Sequence, residues 1–269
     1  MAFVDTHTHL YDEAFASDVD LAVLRAGQAG VKSLIFPDID SSTRERMLSL
    51  ASAHRDSVHV GLGLHPTSVN EGWRDEIDAV ERLLETEKAV AIGETGLDFW
   101  WSREYQTQQL ESFRIQMELA LRKGLPVIVH SREATEATLK AVGQFRGQGL
   151  TGVFHAFSGS IETFREIEKL GGWYVGIGGV LTFKNASIAD TVKDIPLERI
   201  VLETDSPYLT PVPHRGKRNE SAYIPLIASR LAQIKGIDIS EVEEVTTRNA
   251  ERLFGLQNIP DGRTDSGQK

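Results

Sequence analysis

Cysteine is absent from all 269 residues. Disulfides, thiolate-bound zinc and cysteine nucleophiles are thereby excluded, and a reducing compartment is compatible with that absence. Long apolar runs are missing too. No stretch approaches the ~18 consecutive apolar residues of a membrane span, so no membrane association is expected. The opening residues Met1-Ala-Phe-Val-Asp5 carry neither the basic stretch nor the apolar run of a signal peptide, and a cytoplasmic location is the expectation. Positive charge is in deficit, with 29 Lys and Arg against 39 Asp and Glu and a formal net charge of -10. Broad, non-specific duplex binding draws on many cationic contacts to phosphate and is a poor match for such a chain. A strand gripped locally beside a metal ion remains compatible, because the cation inverts the local field. With no evident apolar surface patch, a monomer is expected.

What is present is an ordinary core composition, 41% hydrophobic, arranged as a repeated alternation. Short apolar runs at 4–10, 32–37, 58–65, 89–94, 127–130, 152–155, 173–177 and 199–205 read as strands. Helical spacing recurs between them, most clearly over 104–123, which stops at Gly124 before Pro126. Other helices are expected at 18–30, at 75–87, at 133–142, at 161–170, near 188–193, at 222–235 and at 240–254, and one through Met47 with Ser41 or Ser42 as its cap. Strands this apolar are covered on both faces. Eight strand–helix units without a domain-scale linker predict an α/β fold, a closed (β/α)8 TIM-type barrel, in preference to an open doubly wound sheet or a barrel with a separate small domain. The barrel is expected over 1–257, with a frayed polar tail at 258–269.

Barrel active sites lie at the C-terminal ends of the strands. Those ends carry His7 and His9, His65, Glu94, His130, His155, and the pair Glu203 and Asp205. In a strand, residues two apart share a face, so His7 and His9 should project side by side. Any one of these residues alone would read as a strand-end polar group satisfied by a loop. As a set they do not, because only His54, His59 and His214 among the eight histidines lie elsewhere. Imidazoles and carboxylates converging on one rim form a hydrolytic divalent-metal site. We expect His7, His9 and Asp205 on one ion and His130 and His155 on a second, with Glu94 bridging a pair ~3.5–4 Å apart. Glu94, Asp205 and Glu203 are the catalytic candidates. Asp205 would orient the attacking water or take its proton. Glu203 reads as a proton acceptor or as a group behind the ligands, with metal ligation or a barrel-interior ion pair as its other readings. Zinc or manganese suits the histidine-rich set, whereas magnesium prefers oxygen.

The rim also carries cations. Arg132 follows His130, and the loop His214-Arg-Gly-Lys-Arg-Asn219 offers Arg215, Lys217 and Arg218 where barrels often bind phosphate. With His65, these are the candidate substrate contacts; a solvated charge run is the plainer reading of the loop. Trp100 and Trp101 read equally as a stacking platform for a base or as cover for the barrel rim.

The motifs Asp5-Thr-His-Thr-His-Leu10, Gly63-Leu-His-Pro66, Gly93-Glu-Thr-Gly-Leu-Asp98, Pro126-Val-Ile-Val-His-Ser-Arg-Glu-Ala134, Phe154-His-Ala-Phe-Ser-Gly-Ser160, Leu202-Glu-Thr-Asp-Ser-Pro-Tyr-Leu209 and Arg215-Gly-Lys-Arg-Asn219 run nearly end to end. Together they resemble the TatD family of metal-dependent deoxyribonucleases, within the amidohydrolase-like barrel superfamily. The resemblance implies a TIM-type barrel and divalent-metal-dependent DNase activity, often as a 3′-to-5′ exonuclease on single strands, with ligands at His7, His9, Glu94, His130, His155 and Asp205. Two departures stand out: Asn219-Glu220-Ser221 where the family usually has Asn-Glu-Pro, and Ala156 where it has cysteine. Neither removes a ligand, although the first touches the loop carrying Arg215 and Lys217. The rival activities are hydrolysis of a small amide or lactone, and D-aminoacyl-tRNA deacylation, at the same metal site. A metal-binding module without catalysis is the third alternative.

Overall fold

The computed structural model describes residues 2–256. Its eight strands are β1 (Phe3–Asp5), β2 (Val31–Pro37), β3 (Val58–Leu62), β4 (Ala89–Asp98), β5 (Val127–Arg132), β6 (Gly152–Phe154), β7 (Trp173–Ile177) and β8 (Ile200–Leu202). They form one parallel sheet in sequence order. The seam between β1 and β8 is bridged just beyond both strands. Thr6 N donates to Leu202 O (3.0 Å), Asp205 N to His7 O (2.8 Å) and His9 N to Ser206 O (2.8 Å), with Thr8 and Ser206 paired in parallel. The expected TIM-type barrel is therefore the observed fold. The tail expected at 258–269 lies outside the described residues.

Helices alternate with the strands: α1 (Val19–Gln28), α2 (Ser41–Ala53), α3 (Trp73–Leu83), α4 (Gln106–Lys123), α5 (Thr135–Gly143), α6 (Ile161–Glu168) and α7 (Ile188–Asp194), with α8 (Ile224–Lys235) and α9 (Ile239–Phe254) after β8. α4 stops at Gly124, which adopts φ 66° and so closes the helix in the left-handed region that glycine favours. The cap of α2 is one residue earlier than the sequence suggested: the Asp40 carboxylate, not Ser41 or Ser42, accepts the Ser42 N–H.

Two residues per strand repeat place one side chain of each pair inside the barrel. Val4, Ile35, Val90, Ile128, Val153, Tyr174 and Val201 form one buried cluster with Leu253 and Phe254 of α9. Asn249 of that helix bonds the carbonyls of Leu197 and Ile200 (2.9 and 2.8 Å), so α9 stops the end of the barrel where the strands begin. At the opposite end the same inward register continues from Ile128 to His130, from Val153 to His155 and from Val201 to Glu203. The apolar interior thus gives way to a polar rim one step up each strand.

Strand limits differ from the sequence reading in an informative way. β1 ends at Asp5 and β8 at Leu202, so His7, His9, Glu203 and Asp205 stand on the seam segments beyond them. β4 runs four residues further than expected, because Thr95 to Asp98 pair with Val129 to Arg132. Two glycines permit this. Gly96 has φ 136°, and a Cβ there would lie 2.0 Å from His130 O; Gly93 has φ 157°, and a Cβ would lie 2.7 Å from Ile128 Cβ.

Candidate metal centre

Glu94 is the hub. Its carboxylate is buried, and its two oxygens face different partners. Oε2 lies 3.1 Å from His7 Nε2 and 3.8 Å from His9 Nε2. Oε1 lies 2.8 Å from His155 Nε2, 3.0 Å from His130 Nδ1 and 3.3 Å from His65 Nε2. Asp205 Oδ1 completes the first group, 3.6 Å from His7 Nε2 and 3.5 Å from His9 Nε2. The six residues expected as ligands are therefore brought into one cluster, with Glu94 between His7, His9 and Asp205 on one side and His130 and His155 on the other. Asp205 reaches its half through a left-handed backbone (φ 57°), which aspartate tolerates better than most residues.

Proton positions follow from the partners. The single hydroxyl hydrogen of Tyr11 goes to Pro37 O, so its oxygen accepts His9 Nδ1–H (2.8 Å). His9 Nε2 then carries the lone pair and faces His7 Nε2 at 3.1 Å. Asp98 Oδ2 accepts His130 Nε2–H (2.9 Å), which leaves the Nδ1 lone pair aimed at Glu94 and at His155 Nε2, 3.2 Å away. The His7–His9 and His130–His155 nitrogen pairs are thus each held close enough for both members to ligate one cation. Buried His7 Nδ1, His155 Nδ1 and Glu203 Oε2 have no hydrogen-bond partner. Among the described residues, three groups have ligand atoms mutually within 4.8 Å: His7, His9 and Glu94; His65, Glu94 and His130; His7, His155 and Glu203. The donor set suits a divalent ion that accepts imidazole nitrogen and carboxylate oxygen.

Electrostatics agree. Burial alone would raise the Glu94 pKa, but the imidazoles of His155, His7 and His65 and the bond from His130 hold it well below the usual carboxylate range. Burial opposes charge on His155, yet Glu94, Glu203 and Asp205 push that imidazole up to about 10. His130 is raised, against burial, by its bonds to Asp98 and Glu94. His7 is lowered to about 4, by burial first and by His155 next. A proton on His155 thus balances the carboxylates, and a divalent ion would displace it.

The other candidates divide. His65 Nδ1 accepts the backbone N–H of Thr67 (3.1 Å). Neutral His65 therefore carries its hydrogen on Nε2, the atom nearest Glu94, so it presents a donor and not a ligand lone pair. Glu203 is fully buried, whereas Asp205 turns through its left-handed backbone to a partly open position. Glu203 Oε1 accepts Ala156 N–H and lies 3.9 Å from His155 Nδ1. Burial pushes its carboxyl up to about 8, offset in part by His155. A Cβ on Gly176 would sit 2.0 Å from Glu203 Oε2, so that glycine makes the room Glu203 occupies. Arg132, Arg215 and Lys217 are exposed. Arg215 lies 3.7 Å over the Phe183 ring. Arg218 is committed elsewhere: its guanidinium holds both Asp18 oxygens (2.7 and 2.8 Å) and Ala14 O (2.6 Å). It ties the loop to the segment leading into α1 and is not a free phosphate contact.

Three supports were not identified from the sequence. Asp98 lies four residues beyond Glu94, on the same face of a strand that seemed to end at Glu94; following the pleat through Gly93-Glu-Thr-Gly-Leu-Asp98 would have found it. Tyr11 continues the alternation of His7 and His9. Asp38, at the end of β2, grips the backbone around Glu94: Asp38 N donates to Gly93 O (3.0 Å) and Glu94 N to Asp38 O (2.9 Å). Its fully buried carboxylate pairs with Arg44 Nε at 2.7 Å.

A parallel barrel with histidines and carboxylates at the C-terminal rim is the architecture of a metal-dependent hydrolase. The particular family follows from the comparison with known sequences: the chain belongs to the TatD related DNase family, whose profile matches residues 4–255. The uncharacterized metal-dependent hydrolase YabD of Bacillus subtilis is 37% identical over 253 residues, covering 94% of this chain and 98% of YabD. The 3′-5′ ssDNA/RNA exonuclease TatD of Erwinia tasmaniensis is 34% identical over 261 residues, covering 94% of this chain and 99% of that protein. Among solved structures, YjjV, a TatD homolog from Escherichia coli K12, superimposes with a TM-score of 0.88 at 30% identity over 96% of this chain and 98% of its own. Among the described residues, no helix is long and apolar enough to cross a membrane.

Proposed function

We propose that this chain hydrolyses phosphodiester bonds of DNA, removing nucleotides from the 3′ end of single strands, as a cytoplasmic monomer. The observation that carries the proposal is the division of the Glu94 carboxylate between two sets of ligands, the arrangement a bridged metal pair requires. His7, His9, Asp205 and Glu94 would hold one ion, and His130, His155 and Glu94 the other. Bound there, manganese, zinc or magnesium would lower the pKa of water and neutralise developing charge on phosphate.

The chain's own residues supply the rest. Asp205 stands at the rim with its carboxyl held below the usual range by the His9 bond and the neighbouring imidazoles, although burial opposes this. It is ionised at neutral pH and accepts the proton of the attacking water. His65 directs Nε2–H toward the oxygen cluster and donates to a non-bridging phosphate oxygen. Arg132, Arg215 and Lys217 add charge for the flanking phosphates. Glu203, enclosed against the Ala156 N–H, sets the charge beside His155 Nδ1 from 3.9 Å. The relative named as an ssDNA/RNA exonuclease supports a nucleic-acid substrate for this site.

The test offers metal-stripped protein single-stranded DNA and RNA labelled at either end, with magnesium, manganese or zinc restored, beside carboxyl-ester, lactone and D-aminoacyl-tRNA substrates. Stepwise shortening from the 3′ end, abolished by Glu94→Ala together with a fall in bound metal, is expected. Turnover of an ester or amide with every strand left intact would move the activity to carbonyl hydrolysis.

A further inference from the structure

The segment after β4 leaves two indoles uncovered: Trp100 is 57% and Trp101 70% exposed. A rim cover would be buried against what it covers, and these are not. Instead a cation stands over both. The Arg132 guanidinium lies 5.0 Å from the Trp100 ring centroid and 5.5 Å from that of Trp101. Arg132 ends β5, two residues beyond His130. The backbone that presents the indoles is fixed to the same carboxylate that orients His130. Asp98 Oδ1 accepts the N–H groups of Trp100 (2.9 Å) and Trp101 (3.3 Å), while Oδ2 accepts His130 Nε2–H (2.9 Å). One buried side chain therefore sets both the platform and an imidazole of the metal centre.

We infer that Trp100, Trp101 and Arg132 form a subsite for an unpaired nucleobase next to the phosphate being cleaved. Indole faces stack on any base regardless of its hydrogen-bonding edge, and a guanidinium plane extends the stack while its N–H groups reach a phosphate. A paired base hides its faces in the helix, so this subsite accepts single strands and frayed ends and discriminates against intact duplex. This assignment rests on the nucleic-acid reading of the metal centre and adds to it the feature that recognises the nucleotide.

Binding and cleavage separate the two ideas. The full-length protein, with a chelator present, is titrated with a short oligothymidylate and with an abasic strand of equal length, while tryptophan fluorescence is followed. Trp73 and Trp173 are buried, so quenching reports the exposed pair. Quenching by thymidylate but not by the abasic strand is expected, with Kd about tenfold weaker, by anisotropy of a labelled strand, in Trp100→Ala/Trp101→Ala. In the metal-loaded enzyme the double variant should lower kcat/KM for the oligonucleotide, relative to that for bis(p-nitrophenyl) phosphate, by about tenfold, mainly through KM. Equal affinity for thymidylate and abasic strands, or a wild-type Kd in the double variant, overturns the subsite. Wild-type protein that binds the base but cleaves no strand with any metal overturns the nuclease reading and leaves the subsite standing.

Discussion

Replacing Asp98 isolates the smallest part of the metal centre whose failure should be measurable. Its Oδ2 accepts His130 Nε2–H at 2.9 Å, and this bond keeps the Nδ1 lone pair turned toward Glu94. Charge-assisted hydrogen bonds are worth roughly 1.5–3 kcal/mol. At about 1.4 kcal/mol per factor of ten, that corresponds to a range of about 10–150-fold in the population of the ligating tautomer and orientation. Groups behind metal-bound histidines cost about 10–100-fold in affinity when removed, so the two estimates agree. Asp98→Asn keeps the shape and one oxygen acceptor but loses the charge, and should weaken the ion assigned to His130 and His155 about tenfold. Asp98→Ala removes the acceptor as well and should approach 100-fold. Competition against a chromophoric chelator, with manganese or zinc, reads both values. The argument fails if Asp98→Ala binds two ions with wild-type affinity. It also fails if both ions weaken equally, because His9 is fixed independently by Tyr11.

Metal binding should release protons, since His155 is pushed up to about 10 and so holds a proton near neutral pH, and His130 is raised in the same direction by its bonds to Asp98 and Glu94. Apparent affinity should climb between about pH 6 and 8, by up to about tenfold per pH unit for each proton displaced; calorimetry in two buffers of different ionisation heat counts them, and proton uptake would contradict the assignment. Arg44→Met strands the buried Asp38 carboxylate and should cost about 3–5 kcal/mol at pH 8 by urea unfolding. Burial raises Asp38 to about 7 even with Arg44 beside it, so its folded value exceeds the unfolded one; its contribution is complete below about pH 4 and lost as pH rises through 7, and the variant should be closer to wild type at pH 5. An equal penalty at both pH values would refute that account. Arg215→Ala and Lys217→Ala should each reduce the salt dependence of oligonucleotide binding by about one unit of slope, whereas Arg218→Ala, whose guanidinium is held by Asp18, should lower the melting temperature and leave that slope intact.

The barrel was legible because its strands are apolar on both faces and regularly spaced. The convergence of the six candidate residues was legible because inward register is inherited: Val153 inside places His155 inside, and Ile128 does the same for His130. Inheritance by twos breaks where the backbone leaves the pleat. Asp205, with positive φ, turns to a partly open position, so Glu203 could not be placed from it and proved to be enclosed against the Ala156 N–H. Hydrogen-bond direction was not legible at all. Nothing in Gly63-Leu-His-Pro66 says that Thr67 N–H takes the lone pair of His65, nor does the basic loop reveal that Arg218 is engaged by Asp18 from 200 residues away. Such facts depend on which distant groups meet, and only the folded chain brings them together.

His7 and His9 leave the ribosome long before Asp205 does. Their half of the centre stays incomplete until the last strand has been made and laid beside the first. An ion held there with full affinity therefore certifies a finished, closed barrel, and a truncated or half-wound chain would be left without it. The seam that joins first strand to last serves also as a checkpoint, so that no partial product of synthesis carries the complete site.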